Sequence, residues 1–180
     1  MPWKNISSKK VYQNNFISVF DEQVSAPNGF KTQYGRVHFH RKAASVLVLN
    51  KLNNEILLIG QDRYPLNSYS WETIQGGGEL EETPQDIARR ELREEAKIDS
   101  FKLNFICKTN TSNSVTDEQA FLFWCDKKDT LISKNDNQDS TELLSRKWFK
   151  LDNVLKMIYD QEITDSLTQI SIFYILKNLI

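Results

Sequence analysis

"IQGGGELEETPQDIARRELREEAKID", residues 74–99, sets three consecutive glycines ahead of a segment in which eight residues are Asp or Glu. Thr83 and Pro84 mark a helix start, because Thr caps free N–H groups and Pro is tolerated where its missing donor costs nothing. The spacing predicts a helix over 84–96, on which Glu91, Glu94 and Glu95 fall within an arc of about 100°. Like charges one turn apart destabilise a free helix, so something positive is expected beside them. Arg89, Arg90 and Arg93 offer one answer, an ordinary surface helix laced with ion pairs. Gly76, Gly77 and Gly78 offer another. Read as a flexible loop, they allow close backbone approach and let a carbonyl, that of Gln75, face the same cation as the helix carboxylates. Hard oxygen donors of this kind suit Mg²⁺, with Mn²⁺ as a substitute, held partly by protein and partly by a substrate's phosphates.

The chain around this segment has 180 residues, enough for one full core and a small appended subdomain. Its 23 basic and 24 acidic residues leave a formal charge of -1, so no global field recruits nucleic acid or an anionic membrane. No apolar run approaches the roughly 20 residues of a membrane span and no signal peptide is evident, which makes a reducing cytoplasm the expected setting. Cys107 and Cys125 have no metal-ligand spacing and read as buried small hydrophobes.

Residues 1–42 alternate in the β manner and predict two or three antiparallel strands with "APNG" as a turn, Pro27 fixing φ and Gly29 taking the left-handed position. This piece has too little core of its own and needs a partner surface. From Ala43 the runs "ASVLVLN" and "EILLIGQDRY" suit strands buried on both faces, joined by "KLNN". "FKLNFICKTN", "QAFLFWCD" and "SRKWFKL" read as further strands, "KKDTLISKNDNQDS" as a mobile loop. Two C-terminal helices follow, the first opened by an Asp152 cap. The order implies an α+β domain, a mixed sheet in an α/β/α sandwich.

The quoted segment resembles the signature of the Nudix hydrolases: a glycine, five residues, Glu, seven residues, Arg-Glu-apolar, one residue, Glu-Glu, one residue, a glycine and an apolar residue. Gly76, Glu82, Arg90, Glu91, Leu92, Glu94, Glu95 and Ile98 match in register. Lys97 stands where the family has its last glycine, which predicts a strained or shifted helix end without loss of a ligand. The flanks, "QDRYPLNSYSWETIQGGG" and "SNSVTDEQAFLFW", are similar to those of the ADP-ribose and nucleoside diphosphate sugar pyrophosphatases. Ile74, Gln75 and Glu81 depart from residues usual in those relatives, which leaves backbone ligation by Gln75 intact and puts the loop's shape in question.

The resemblance implies metal-dependent hydrolysis of a nucleoside diphosphate linked to a sugar, either ADP-ribose or a GDP- or ADP-hexose. The products would be a nucleoside monophosphate and a sugar phosphate. It implies Glu91, Glu95 and the Gln75 carbonyl as metal ligands, Arg90 as their holder, Glu118 or Glu94 as the base, and Arg63, Trp71, Gly76 and Gly77 at the substrate. Each also has a plainer reading: Arg63 as a surface ion pair, Tyr64 and Trp71 as core aromatics, Asp117 and Glu118 as exposed loop acids. His38 and His40 are given no catalytic role. The likeness further implies two units, an N-terminal β-subdomain over 1–42 that dimerises and walls the nucleotide pocket, and a catalytic domain over 43–180. Hydrolysis of nucleoside triphosphates or dinucleoside polyphosphates, or a non-enzymatic nucleotide sensor, are the alternative readings.

Overall fold

The computed structural model describes residues 2–100, 102–132 and 144–178. Strands β1 (Lys4–Gln13), β2 (Ile17–Ser25) and β3 (Lys31–Phe39) form a separate antiparallel sheet. The turn between β2 and β3 closes as expected: Gly29 has φ 86° and donates its N–H to the Ala26 carbonyl at 2.9 Å. Every residue of β1 is exposed.

The main sheet contains β4 (Arg41–Asn50), β5 (Glu55–Arg63), β6 (Ser68–Glu72), β7 (Ile74–Glu79), β9 (Asn104–Asn110), β10 (Gln119–Asp126) and β12 (Ser145–Lys150). β8 (Ile98–Ser100) and β11 (Thr130–Ile132) pair apart from it. β10 runs parallel to β4, while the other pairs are antiparallel, so the sheet is mixed. Helix α1 (Pro84–Ala96) covers one face, where Val46, Val48, Ile59, Ile74, Ile87, Leu92 and Phe123 form a core. On the other face Leu47, Leu49, Ile56 and Leu58 pack with α2 (Leu151–Tyr159) and α3 (Ser166–Asn178). β4 and β5 are buried on both faces because each feeds alternate side chains to both cores. Among the described residues no helix is long and apolar enough to cross a membrane.

The structure corrects several local expectations. The three glycines lie in β7, paired through Ala44↔Gly76, Ala43↔Gly77 and Lys42↔Gly78 with β4. Two of them are needed for room, since a Cβ on Gly76 would sit 2.2 Å from the Glu91 carboxyl carbon and one on Gly78 would sit 2.4 Å from Ile87. Asp152 does not cap α2: β12 runs straight into the helix, Lys150 holds the cap position without a side-chain bond, and Asp152 stands in the first turn. There its charge faces the positive end of the helix dipole. The segment read as a mobile loop begins with a 3₁₀ turn at Lys127–Asp129, capped by Asp126, and continues into β11. Its residues 133–140 lie outside the described residues. Cys125 is buried and its thiol is pushed up to about 12 by burial, whereas Cys107 is only half-buried.

Candidate active site

α1 begins as its sequence requires, Thr83 Oγ1 accepting the Asp86 N–H at 3.2 Å with Pro84 just inside. Its buried stripe runs Ile87, Ala88, Glu91, Leu92, Glu95, Ala96. Two carboxylates therefore occupy positions that an ordinary amphipathic helix fills with apolar side chains. Glu91 is 7% and Glu95 8% exposed, while the Glu94 side chain is 56% exposed. Burial pushes the Glu91 carboxyl above the ordinary carboxylate range; Arg90 pulls it back, and the charges of Glu94 and Glu82 push it up again. The ion pairs of the plainer reading are present, and Arg90 binds the cluster together. Its Nη1 donates to Glu91 Oε1 at 2.6 Å and to Glu94 Oε2 at 3.2 Å, and its Nη2 donates to the Gly77 carbonyl at 2.8 Å. Glu82 Oε2 accepts the Glu79 N–H at 3.0 Å and so closes the turn before the helix. Lys97 ends the helix in the left-handed conformation, φ 57°, and keeps the terminus where a glycine would put it.

Beside this cluster β4 and β7 floor a cavity of about 340 Å³. Gln75, Gly76, Gly77, Arg63 and Glu118 line it, together with Arg41, Lys42, Phe16 and Phe39. The Gln75 N–H donates to Glu95 Oε2 at 3.1 Å, which ties the strand to the helix carboxylate. The Gln75 amide donates to Glu72 Oε2 at 3.1 Å and to Asp165 Oδ2 at 3.0 Å. Asp165 in turn accepts the Thr168 N–H at 2.8 Å, so the start of α3 is keyed to the same strand. Glu72 is 3% exposed and receives the Arg63 Nε at 3.0 Å. Arg41 packs over the Phe16 ring and pairs with Glu79 at 3.0 Å, and its buried Nε has no hydrogen-bond partner among the described residues. Glu118, half-buried at the rim, accepts the Thr111 hydroxyl at 2.5 Å.

Of the residues singled out by sequence, the structure gathers Gln75, Gly76, Gly77, Arg63 and Glu118 at the cavity, with Glu91, Glu95 and Arg90 at its edge. Glu94 faces solvent behind Arg90. Trp71 stacks edge-on between Tyr69 and Phe149 and packs against the core beneath α2 and α3. Tyr64 is 96% exposed and serves neither core nor cavity. Phe16, Phe39, Arg41, Lys42, Glu72 and Asp165 were not singled out. A signal existed for Phe39, Arg41 and Lys42, an aromatic and two cations at the end of the N-terminal alternation; for Asp165, a contact 90 residues from Gln75, there was none.

The chain matches the model of the NUDIX domain over residues 39–168. It is 28% identical over 172 residues to the ADP-ribose pyrophosphatase of Bacillus subtilis, covering 96% of this chain and 91% of the relative. It is 27% identical over 175 residues to the methanol dehydrogenase activator of Bacillus methanolicus, with the same two coverages. It is also 29% identical over 133 residues to a human diphosphoinositol polyphosphate phosphohydrolase, covering 73% of this chain and 69% of the relative. A crystal structure of an ADP compounds hydrolase superposes with a TM-score of 0.85 at 17% identity, covering 98% of this chain and 94% of that one. With its glutamate-bearing helix laid against a glycine strand and the domain model spanning most of its length, the chain belongs to the Nudix family.

Proposed function

We propose that this chain, a Nudix pyrophosphohydrolase dependent on a divalent metal, splits the pyrophosphate bond of a nucleoside diphosphate linked to a sugar, ADP-ribose foremost. The products are a nucleoside monophosphate and a sugar phosphate. The observation that carries this reading is the cavity's composition: Arg41, Lys42 and Arg63 for a diphosphate, Phe16 and Phe39 as apolar ring surface, and two glycines beside the carboxylate helix. The names of the Bacillus subtilis relative and of the superposed hydrolase point the same way.

Glu91, Glu95 and the Gln75 carbonyl would hold the ion. The donor set fits, since two buried carboxylates with like charges around them favour a hard cation. Among the described residues no three acidic, His or Cys side chains gather into a cage. The ion proposed is Mg²⁺, with Mn²⁺ able to replace it; Mg²⁺ commonly takes one or two carboxylates and completes its shell with water and substrate phosphates. When bound, the ion supplies an acidified water and neutralises charge growing on the phosphate oxygens. The protein's own groups do the rest. Arg90 fixes Glu91 and Glu94; Glu72 holds the Arg63 guanidinium toward the diphosphate; Trp71 braces β6, which carries Glu72. Glu118, at the cavity rim, is better placed than solvent-facing Glu94 to take a proton from the attacking water.

The N-terminal unit, residues 1–42, is proposed to pair two copies in a homodimer and to wall the pocket of the catalytic domain, residues 43–180. Trp3, just before β1, and Ile6, Val11 and Tyr12 on it are each more than half exposed, an apolar display that a monomer rarely keeps. The proposed setting is the cytoplasm. The test is a panel of ADP-ribose, ADP- and GDP-hexoses, nucleoside triphosphates and dinucleoside polyphosphates, assayed for released monophosphate with Mg²⁺ and with Mn²⁺. Turnover of the triphosphates alone would refute the substrate class.

A further inference from the structure

Between β9 and β10 the chain crosses from the main sheet to the N-terminal sheet and back, and residues 111–118 are held there by contacts with β3. The Val37 N–H donates to the Val115 carbonyl at 2.9 Å, and the Asp117 N–H donates to the Val37 carbonyl at 3.3 Å, so this stretch adds a short parallel bridge to β3. The Tyr34 hydroxyl donates to the Ser114 carbonyl. Asp117 makes the tightest set. Its Oδ1 accepts the Phe39 N–H at 2.9 Å, its Oδ2 lies 2.6 Å from His38 Nδ1, and Arg36 stands 3.9 Å away. The next residue is Glu118, which lines the cavity and whose carboxylate accepts the Thr111 hydroxyl.

An exposed acid gripped by one backbone donor and one ring does little for the substrate directly, since Asp117 is not among the cavity's lining residues. It does constrain its neighbour. With Asp117 pinned to β3 and Thr111 at the end of β9, the peptide carrying Glu118 is fixed at both sides. Phe39, whose N–H is one of the Asp117 donors, itself lines the cavity. We propose that Asp117 is a positioning residue for Glu118: its clasp on His38 and the Phe39 N–H docks the 111–118 segment onto β3 and holds the Glu118 carboxylate at the cavity. This rests on the reading of Glu118 as the base. It also gives the N-terminal sheet a part in the chemistry, because β3 is the element that the clasp grips.

The test is steady-state hydrolysis of ADP-ribose with Mg²⁺ at fixed pH by Glu118→Gln, Asp117→Ala, Asp117→Asn, His38→Gln and the double variant Asp117→Ala/Glu118→Gln. Each variant's fold is checked by its circular dichroism and melting temperature. Loss of the base lowers kcat by about 100-fold or more. Displacement of the base by about 1 Å makes Asp117→Ala lose kcat by up to about 100-fold, with KM within about threefold of wild type. Asp117→Asn keeps an acceptor for the Phe39 N–H and recovers most of that loss, and His38→Gln falls between the two. In the Glu118→Gln background Asp117→Ala has no further effect, because a displaced group that no longer reacts cannot slow the reaction again. Wild-type kcat in Asp117→Ala, beside a crippled Glu118→Gln, overturns the clasp and leaves the base reading standing. An equal loss from Asp117→Ala in both backgrounds also overturns it. Full activity in Glu118→Gln removes the base reading, and the clasp's role goes with it.

Discussion

The three glycines of β7 make one perturbation unusually informative. An added Cβ at Gly76 would lie 2.2 Å from the Glu91 carboxyl carbon and 2.3 and 2.4 Å from its two oxygens. Ordinary carbon contacts need about 3.5–4 Å, so in Gly76→Ala the carboxylate must retreat by more than about 1 Å, and a misplacement of that size costs on the order of 100-fold in rate. The obstacle is the end of a flexible side chain, so the fold yields cheaply while the site does not. Gly77→Ala is the control, its Cβ meeting nothing nearer than Arg41 at 3.8 Å. Gly78→Ala is the converse: its Cβ would stand 2.4 and 2.5 Å from two Ile87 side-chain carbons, and Ile87 is fully buried. Overpacking of this kind costs about 1–3 kcal/mol. Monophosphate release from ADP-ribose and urea unfolding of the three variants separate the effects: activity falls in the first with little loss of stability, stability is unchanged in the second, and stability falls in the third. A Gly76→Ala protein within about threefold of wild-type kcat/KM would show that Glu91 need not stand where the strand leaves room for it.

Glu95→Gln keeps volume and an acceptor for the Gln75 N–H, so it should fold normally while losing well over about tenfold in turnover; a variant above a tenth of the wild-type rate contradicts the ligand assignment. Lys97→Gly removes left-handed strain of about 1–2 kcal/mol and loosens the unfolded chain by about 0.4–1 kcal/mol, so a small net gain in the urea midpoint is expected, and a lowered midpoint would refute the strain argument. Burial opposes ionisation of Asp117, yet the His38 and Phe39 hydrogen bonds and the His38 and Arg36 charges outweigh it and hold its carboxyl below the ordinary range. A depressed folded pKa gives stability that is present above the unfolded value of about 3.9 and lost as pH falls through the folded one. The stability gap between wild type and Asp117→Asn should therefore close on acidification below about pH 4, and a gap constant with pH would rule the pairing out. Light scattering should return twice the 21.0 kDa chain mass; a stable, fully active monomer would rule out the proposed dimer.

What could be read from the sequence is what short-range physics decides. α1 was legible to the residue because its start, Thr83-Pro84, and its 3.6-residue period are written within a few positions of each other. The glycine strand was not, because a run without side chains shows no alternation, and the reason for its glycines, Glu91 and Ile87, lies in another element. Periodicity alone does not divide the three helix carboxylates either: a shared arc says which side they face, but only the packing of β7 puts Glu91 and Glu95 beneath it and leaves Glu94 in water. Asp117 read as an idle loop acid because its partner His38 is 79 residues away. The signature thus holds the proposed metal ligands on the helix inside 23 consecutive positions, while the cavity proposed for the substrate is assembled from β2's leading edge, β3, β4, β5, β7 and the segment before β10. Substitutions within the helix should therefore change how fast any diphosphate is cut. Those at Phe16, Phe39, Arg41 and Glu118's clasp should change which one is accepted and how well the base meets it.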